Sequence, residues 1–171
     1  MKKPELLAPA GSFEKAKVGF MYGADAVYCG TASLSLRSRA EVDDNDLEKT
    51  IKYAHSIGKK VYAALNIYAW DTNYEEIEKQ VKMLDEVHVD AIIASDGGVI
   101  QKIREIAPNI EIHVSTQANV VSYHAAKFWY DNGAKRVILG RETSKDQIQE
   151  IMKNKPEDLE VEMFIHGALC W

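Results

Sequence analysis

Seven short apolar runs, each but the last followed by a stretch with helical spacing, recur along this chain at intervals of about 25 residues. The runs are Glu5–Pro9, Ala26–Cys29, Lys60–Leu65, Ala91–Ala94, Glu111–Val114, Arg136–Leu139 and Glu160–Ile165. Rich in Val, Ile, Ala and Tyr, several of them lack polar alternation, as strands buried on both faces do. Between them, "NDLEKTIKYAHSIG" sets Leu47, Ile51 and Ala54 on one stripe, and "NYEEIEKQVKMLDEV" does the same with Ile77, Val81 and Leu84. Asn73 is the expected N-cap of the latter helix. "SYHAAKFWYDNG" and "SKDQIQEIMKN" read as further helices, the last opening on Ser144. Gly23, Gly58 and Gly133 each stand where a helix must end before the next strand.

Strand–helix alternation without a linker or low-complexity break predicts βαβ units on a parallel sheet, hence an α/β fold. Right-handed crossovers leave two architectures, an open doubly wound sheet or a (β/α) barrel of the TIM type. Nearly every run ends in glycine or polar chemistry, from Pro9–Ala10–Gly11 through Asn66 and Ser95–Asp96 to His166–Gly167. Loaded ends on nearly every strand favour the barrel, whose active sites gather on one rim, over an open sheet with a single crevice. A closed barrel has eight strands and eight helices in about 250 residues, whereas these 171 residues supply seven and six. The expectation is one incomplete barrel domain, residues 1–171, truncated at its C-terminus. The closing "VEMFIHGALCW", a strand-like stretch running into His166, Gly167 and Cys170, carries the same expectation. Open barrel edges would favour self-association.

Charge narrows the partners. A formal net charge of −5 argues against a sequence-wide basic surface and so against strong non-specific nucleic-acid binding, though not against a local basic groove. No stretch approaches the about 18 apolar residues of a membrane helix, and "MKKPELLAPAGS" lacks the apolar core of a secretory signal. Two cysteines, Cys29 and Cys170, make no disulfide scaffold. The expectation is a cytoplasmic, reduced protein with no membrane partner.

The strand ends supply the candidate chemistry. His166, Asp96 and Glu142 are the candidate acid–base groups: imidazole moves protons near neutral pH, and a desolvated carboxylate has its pKa moved towards that range. Asp96 has a second reading as the cap of a helix beginning near Gly98, and Glu142 as the ion-pair partner of Arg141. Ser115, Thr116, Gln117 and Asn119 in "HVSTQAN" form the densest polar cluster and, with Asn66, are candidate substrate contacts; a helix start that satisfies its own N–H groups is the other reading. Arg37, Arg39 and Arg141 are candidates for an anionic substrate, because a guanidinium meets a carboxylate or phosphate through two parallel hydrogen bonds. Two histidines, His113 and His166, are too few for a metal site, and no HExxH or GxSxG occurs. Trp70, Trp129 and Tyr130 are expected to pack in the core or at its edges.

The stretches "ELLAPAGSFEKAKVGFMYGADAVYCG", "SLRSRA", "EIHVSTQANV", "VILGRE" and "FIHGALC", in that order, resemble the N-terminal barrel of peptidase family U32 over essentially the whole chain. The resemblance implies one of two activities. One is a collagenase-like protease, a hydrolase of no settled catalytic type. The other is oxygen-independent hydroxylation of tRNA or rRNA bases or of a quinone precursor, with prephenate as the oxygen source and a 4Fe–4S cluster. It makes Cys170 the first cluster ligand in a complete protein. With two cysteines in place of the roughly four that a cluster needs, none is expected on this chain alone. RNA and a small anionic substrate are the implied partners. A non-catalytic scaffold for substrate or RNA is the third reading.

Overall fold

Side-chain caps set where the helices start. In the computed structural model, which describes residues 3–31 and 41–167, six helices occur among the described residues: α1 (Phe13–Met21), α2 (Asp44–Ser56), α3 (Tyr74–Glu86), α4 (Gly97–Ile106), α5 (Tyr123–Asp131) and α6 (Lys145–Asn154). Ser12, Asp43, Asp96, Ser122 and Ser144 each accept a backbone N–H of the first turn, and Gln147 returns a bond to the Ser144 N–H at 2.9 Å. α3 is the exception. A 3-10 turn, Asp71–Asn73, runs straight into it, so Asn73 already has helical φ −91° and ψ −15° and no capping bond. Its side chain accepts the Trp70 N–H at 3.0 Å instead. The expected Asn73 cap therefore belongs to the preceding turn. Gly23, Gly58 and Gly133 end their helices at φ 101°, 68° and 93°, a region that disfavours a Cβ. His88 takes the same place after α3 at φ 58°.

The chain divides into two compact units, Met1–Glu111 and Ile112–Trp171. The first contains β1 (Leu7–Pro9), β2 (Ala26–Thr31), β3 (Glu41–Val42), β4 (Lys60–Ala64) and β5 (Ala91–Ala94). β2 pairs with β1 and β4, and β4 with β5, all parallel, with Val27 beside Val61 and Ala63 beside Ile92. The two-residue β3, absent from the sequence reading, adds a short parallel pairing to the end of β2. All of β5 and the last four residues of β4 are buried, the pattern of parallel strands covered on both faces. Leu47 and Ile51 of α2, Ile77, Val81 and Leu84 of α3, and Ile103 of α4 are buried, each contributing about 1.5–3 kcal/mol. At the strand starts, Asp25 accepts the Leu6 N–H at 3.1 Å and a Lys59 Nζ bond at 3.2 Å. Asp90 accepts the Val61 N–H at 2.8 Å and lies 3.0 Å from His55 Nε2.

The second unit contains β6 (Glu111–Val114) from Ile112 onward, β7 (Arg136–Ile138) and β8 (Glu160–Glu162), paired in parallel in that order. The buried Arg136 ties β7 to β8, donating Nε and Nη2 to Glu160 Oε2 and Nη1 to Glu162 Oε2 at 3.2 Å. The expected strand Glu160–Ile165 stops at Glu162: Met163 and Ile165 are exposed rather than packed. No helix among the described residues is long and apolar enough to cross a membrane.

Candidate functional site

The strand ends of the two units carry the candidate residues. In the first, Asp96 leaves β5 and turns into α4. Its Oδ1 accepts the Val99 N–H at 3.0 Å and the Tyr74 hydroxyl at 3.3 Å. Asp96 is thus a helix cap with a second donor, the reading set beside catalysis in the sequence. Tyr74 has its pKa raised, first by desolvation and then by the Asp96 charge. A Cβ on Gly98 would collide with the Tyr74 hydroxyl, so glycine keeps this pair together. Asn66 is half-buried, two residues after the end of β4. Arg37 and Arg39 lie outside the described residues, as does Cys170.

One aromatic residue beyond β4 departs from expectation: Trp70 is 73% exposed, as is its neighbour Tyr68 at 75%, in the segment between Leu65 and α3. Trp129 and Tyr130 are half-buried as edge packing, with the Tyr130 hydroxyl donating to Asp158 Oδ1 at 2.8 Å.

In the second unit the "HVSTQAN" cluster folds as a short 3-10 turn, Thr116–Ala118. Ser115 is buried and its Oγ accepts the Gln117 N–H at 3.4 Å, while Thr116 Oγ1 donates to Leu139 O at 3.3 Å. Asn119 closes the turn at φ 54°, a conformation asparagine tolerates well. Ser115, Thr116 and Asn119 therefore shape the backbone after β6, and Gln117 and Asn119 are exposed. His113 is fully buried in β6.

Arg141 and His166 share one cavity. It holds about 400 Å³ and is lined by Leu139, Gly140, Arg141, Thr143, Ile148, Met163, Phe164, Ile165, His166 and Gly167. β7 ends in a turn at Gly140, whose carbonyl accepts the Thr143 N–H at 3.1 Å and its hydroxyl at 2.7 Å. That turn throws Arg141 across the Phe164 ring, with 4.1 Å from the guanidinium carbon to the ring centroid. Its Nε and Nη2 are buried without a hydrogen-bond partner among the described residues, a state that costs about 1–3 kcal/mol or more per group. Glu142 does not form the expected ion pair with Arg141 among the described residues. Its Oε2 lies 3.0 Å, and Val121 Cγ1 2.9 Å, from where a Cβ on Gly140 would be. His166 is exposed at the cavity edge. Phe164, Thr143 and Tyr74 escaped the sequence reading. By its apolar pattern Phe164 reads as a strand residue, and no local pattern marks a contact with Arg141, 23 positions away.

Cys29 is fully buried in β2, and burial pushes its pKa up to about 12. A cluster ligand must be a thiolate, so Cys29 does not fit that role. No group of three or more His, Cys, Asp or Glu side chains suited to a metal ion occurs among the described residues.

Comparison with known proteins places these observations. The chain is 47% identical over 169 residues to tRNA hydroxylation protein P of Haemophilus influenzae, covering 98% of this chain and 36% of that protein. It is 36% identical over 166 residues to the 23S rRNA 5-hydroxycytidine C2501 synthase of Escherichia coli, covering 97% of this chain and 25% of that one. It thus spans well under half the length of either. Among solved structures, that of the U32 peptidase Mk0906 matches 93% of this chain and 68% of its own, with a TM-score of 0.76 at 13% identity. At that identity the likeness shows the fold, an incomplete (β/α) barrel of the TIM type. The family Peptidase family U32 matches residues 11–171, and the chain belongs to it.

Proposed function

We propose that this chain is the barrel domain of an RNA-base hydroxylation protein and that the Arg141 cavity receives a small anionic co-substrate. The observation that carries the reading is the 47% identity to a tRNA hydroxylation protein over 98% of the chain. The rRNA hydroxycytidine synthase relative supports hydroxylation of a nucleobase as the shared chemistry. Prephenate is the co-substrate implied by the family resemblance, and an RNA base is favoured over a quinone precursor because both relatives named above act on RNA by name. The site of action is then the cytoplasm, where such RNA is found.

Within this reading Arg141 binds and orients the anion, and Phe164 holds the guanidinium plane. His166, exposed at the cavity edge, is the group able to hand a proton to or from a bound molecule. The 4Fe–4S cluster is a property of the complete protein: Cys170 would give one ligand, and the buried Cys29 does not fit as a second. Peptide hydrolysis has weaker support, since Ser115 uses its Oγ within its own turn and Asp96 serves a helix start. The test is mass spectrometry of nucleosides from tRNA and rRNA of a strain lacking the gene. Loss of one hydroxylated nucleoside is expected; an unchanged profile removes the proposal.

A further inference from the structure

The segment between β4 and α3 leaves two large aromatic rings, Tyr68 and Trp70, in solvent, with Ala69 half-buried between them. That alternation, together with the extended Trp70 backbone at φ −84° and ψ 156°, is the pattern of side chains two apart turned to one side. The backbone beneath Trp70 is fixed. Its N–H donates to Asn73 Oδ1 at 3.0 Å, and its carbonyl accepts the Asn73 N–H at 2.8 Å. The indole therefore stands on a closed turn. The segment leaves β4 at its C-terminal end, and β5 runs parallel beside it with Ala64 opposite Ile93. The rings thus lie on the edge where parallel strands of a barrel present their ligand-binding loops. Their surroundings narrow the partner. On α1 the exposed Tyr22 stands with exposed Val18 and Met21 in an apolar stripe. Beyond β4 no large aliphatic side chain is exposed: Ile67 is half-buried, and Asp71 and Thr72 follow in solvent. A protein partner buries aromatics within a wider apolar core, whereas two rings bordered by polar groups suit a flat partner of their own size. Exposed Asp71, Glu75 and Glu76 set negative charge nearby, which repels phosphates and leaves the face of a base as the contact.

We infer that Trp70 and Tyr68 form a stacking platform for unpaired bases of a single-stranded RNA segment. The inference rests on the RNA reading above and adds to it how the strand is held. An enzyme that reacts with a base must first take it, and often its neighbours, out of the stack. A rigid aromatic face returns the stacking that is lost, and it does so for any base. The contact is sequence-tolerant and selects unpaired over paired RNA.

The test titrates the intact protein against a labelled RNA single strand of about eight nucleotides and against its duplex, reading the anisotropy of the label and the tryptophan emission together. Saturable binding is expected, tighter for the single strand, with emission quenched. Trp70→Ala should weaken it by about tenfold and Tyr68→Ala by several-fold. Trp70→Phe keeps a flat ring and should retain most of the affinity while losing the quench; Trp70→Leu, apolar but not flat, should behave as the alanine variant does. The alanine loss should be the same at about 50 and about 200 mM salt, because stacking releases no counterions. Unchanged affinity in Trp70→Ala, leucine serving as well as phenylalanine, or equal binding of the duplex would each overturn the platform. So would self-association abolished by Trp70→Ala, which would assign the rings to a second copy of the chain. Absence of any RNA binding by the wild type overturns the platform as well; a hydroxylated nucleoside lost from the deletion strain would then keep the RNA reading without it.

Discussion

Asp96 can be assigned by separating its oxygen from its charge. Its Oδ1 accepts two hydrogen bonds, from Val99 N–H at 3.0 Å and the Tyr74 hydroxyl at 3.3 Å. Asp96→Ala removes the α4 cap, worth about 1 kcal/mol. It also removes a negative charge from a helix N-terminus, about 0.3–1 kcal/mol, and leaves Tyr74 without its acceptor, about 1 kcal/mol. Together these come to about 2–3 kcal/mol, a fall in Tm of roughly 5–10 °C for a chain of this size. Asp96→Asn keeps an oxygen in place and loses only the charge, so it is expected to cost under about 1 kcal/mol. Urea unfolding of both variants measures the difference. An Asn variant as damaged as the Ala variant, or an Ala variant as stable as wild type, would refute the capping argument. RNA hydroxylation adds the functional half: a cap alone predicts near-normal activity in Asp96→Asn, whereas a proton-transferring carboxylate predicts a stable but inactive protein.

Three further outcomes follow from single residues. In the folded chain the Asp25 carboxyl lies below its ordinary value, first through the Leu6 N–H and next through Lys59. The stabilisation is therefore present above the unfolded carboxylate pKa, about 3.9, and is lost as pH falls through the lowered folded value. Asp25→Asn should destabilise near neutral pH and match wild type once both are well below that window; an equal deficit at every pH would contradict this. Cys29, its thiol pushed up to about 12 by burial, should resist thiol reagents at mildly alkaline pH until urea unfolds the chain; rapid labelling of the native protein would show the burial argument wrong. His88→Gly relieves a left-handed side chain at φ 58°, a gain of about 1–2 kcal/mol that glycine's unfolded freedom offsets by about 0.4–1 kcal/mol. A melt should show a neutral to modestly stabilised variant, and a clear loss would mean the imidazole makes a contact worth more than the strain.

What the sequence revealed and what it hid divide along a physical line. Features set within a few residues were legible. Leu47–Ile51 and Ile77–Val81–Leu84 repeat at helical spacing and are buried as that spacing requires. Ser144 starts its helix and Gly133 ends one because each acts on its own turn. Features decided by partners far along the chain were hidden. The apolar pattern of "VEMFI" reads as strand, yet pairing with the short β7 ends at Glu162. Asn73 is a good cap by type, but the turn preceding it claims the side chain first. Trp70 looks like core and is exposed, since hydrophobicity does not say whether a loop passes over the packing. At the site, the strand-end position of Arg141 was readable. Its stacking on Phe164 was not, because that contact joins two strand ends rather than two neighbours in sequence.

The most direct measurement is complementation. A strain lacking its own RNA hydroxylation protein of this family is supplied with the wild-type protein or with Arg141→Lys at equal abundance, and its tRNA and rRNA nucleosides are quantified by mass spectrometry. Hydroxylated nucleoside restored by the wild type and largely missing with Arg141→Lys is the predicted result. Failure of the wild type to restore it, or full restoration by the lysine variant, would contradict the assignment of the barrel and its cavity to that chemistry.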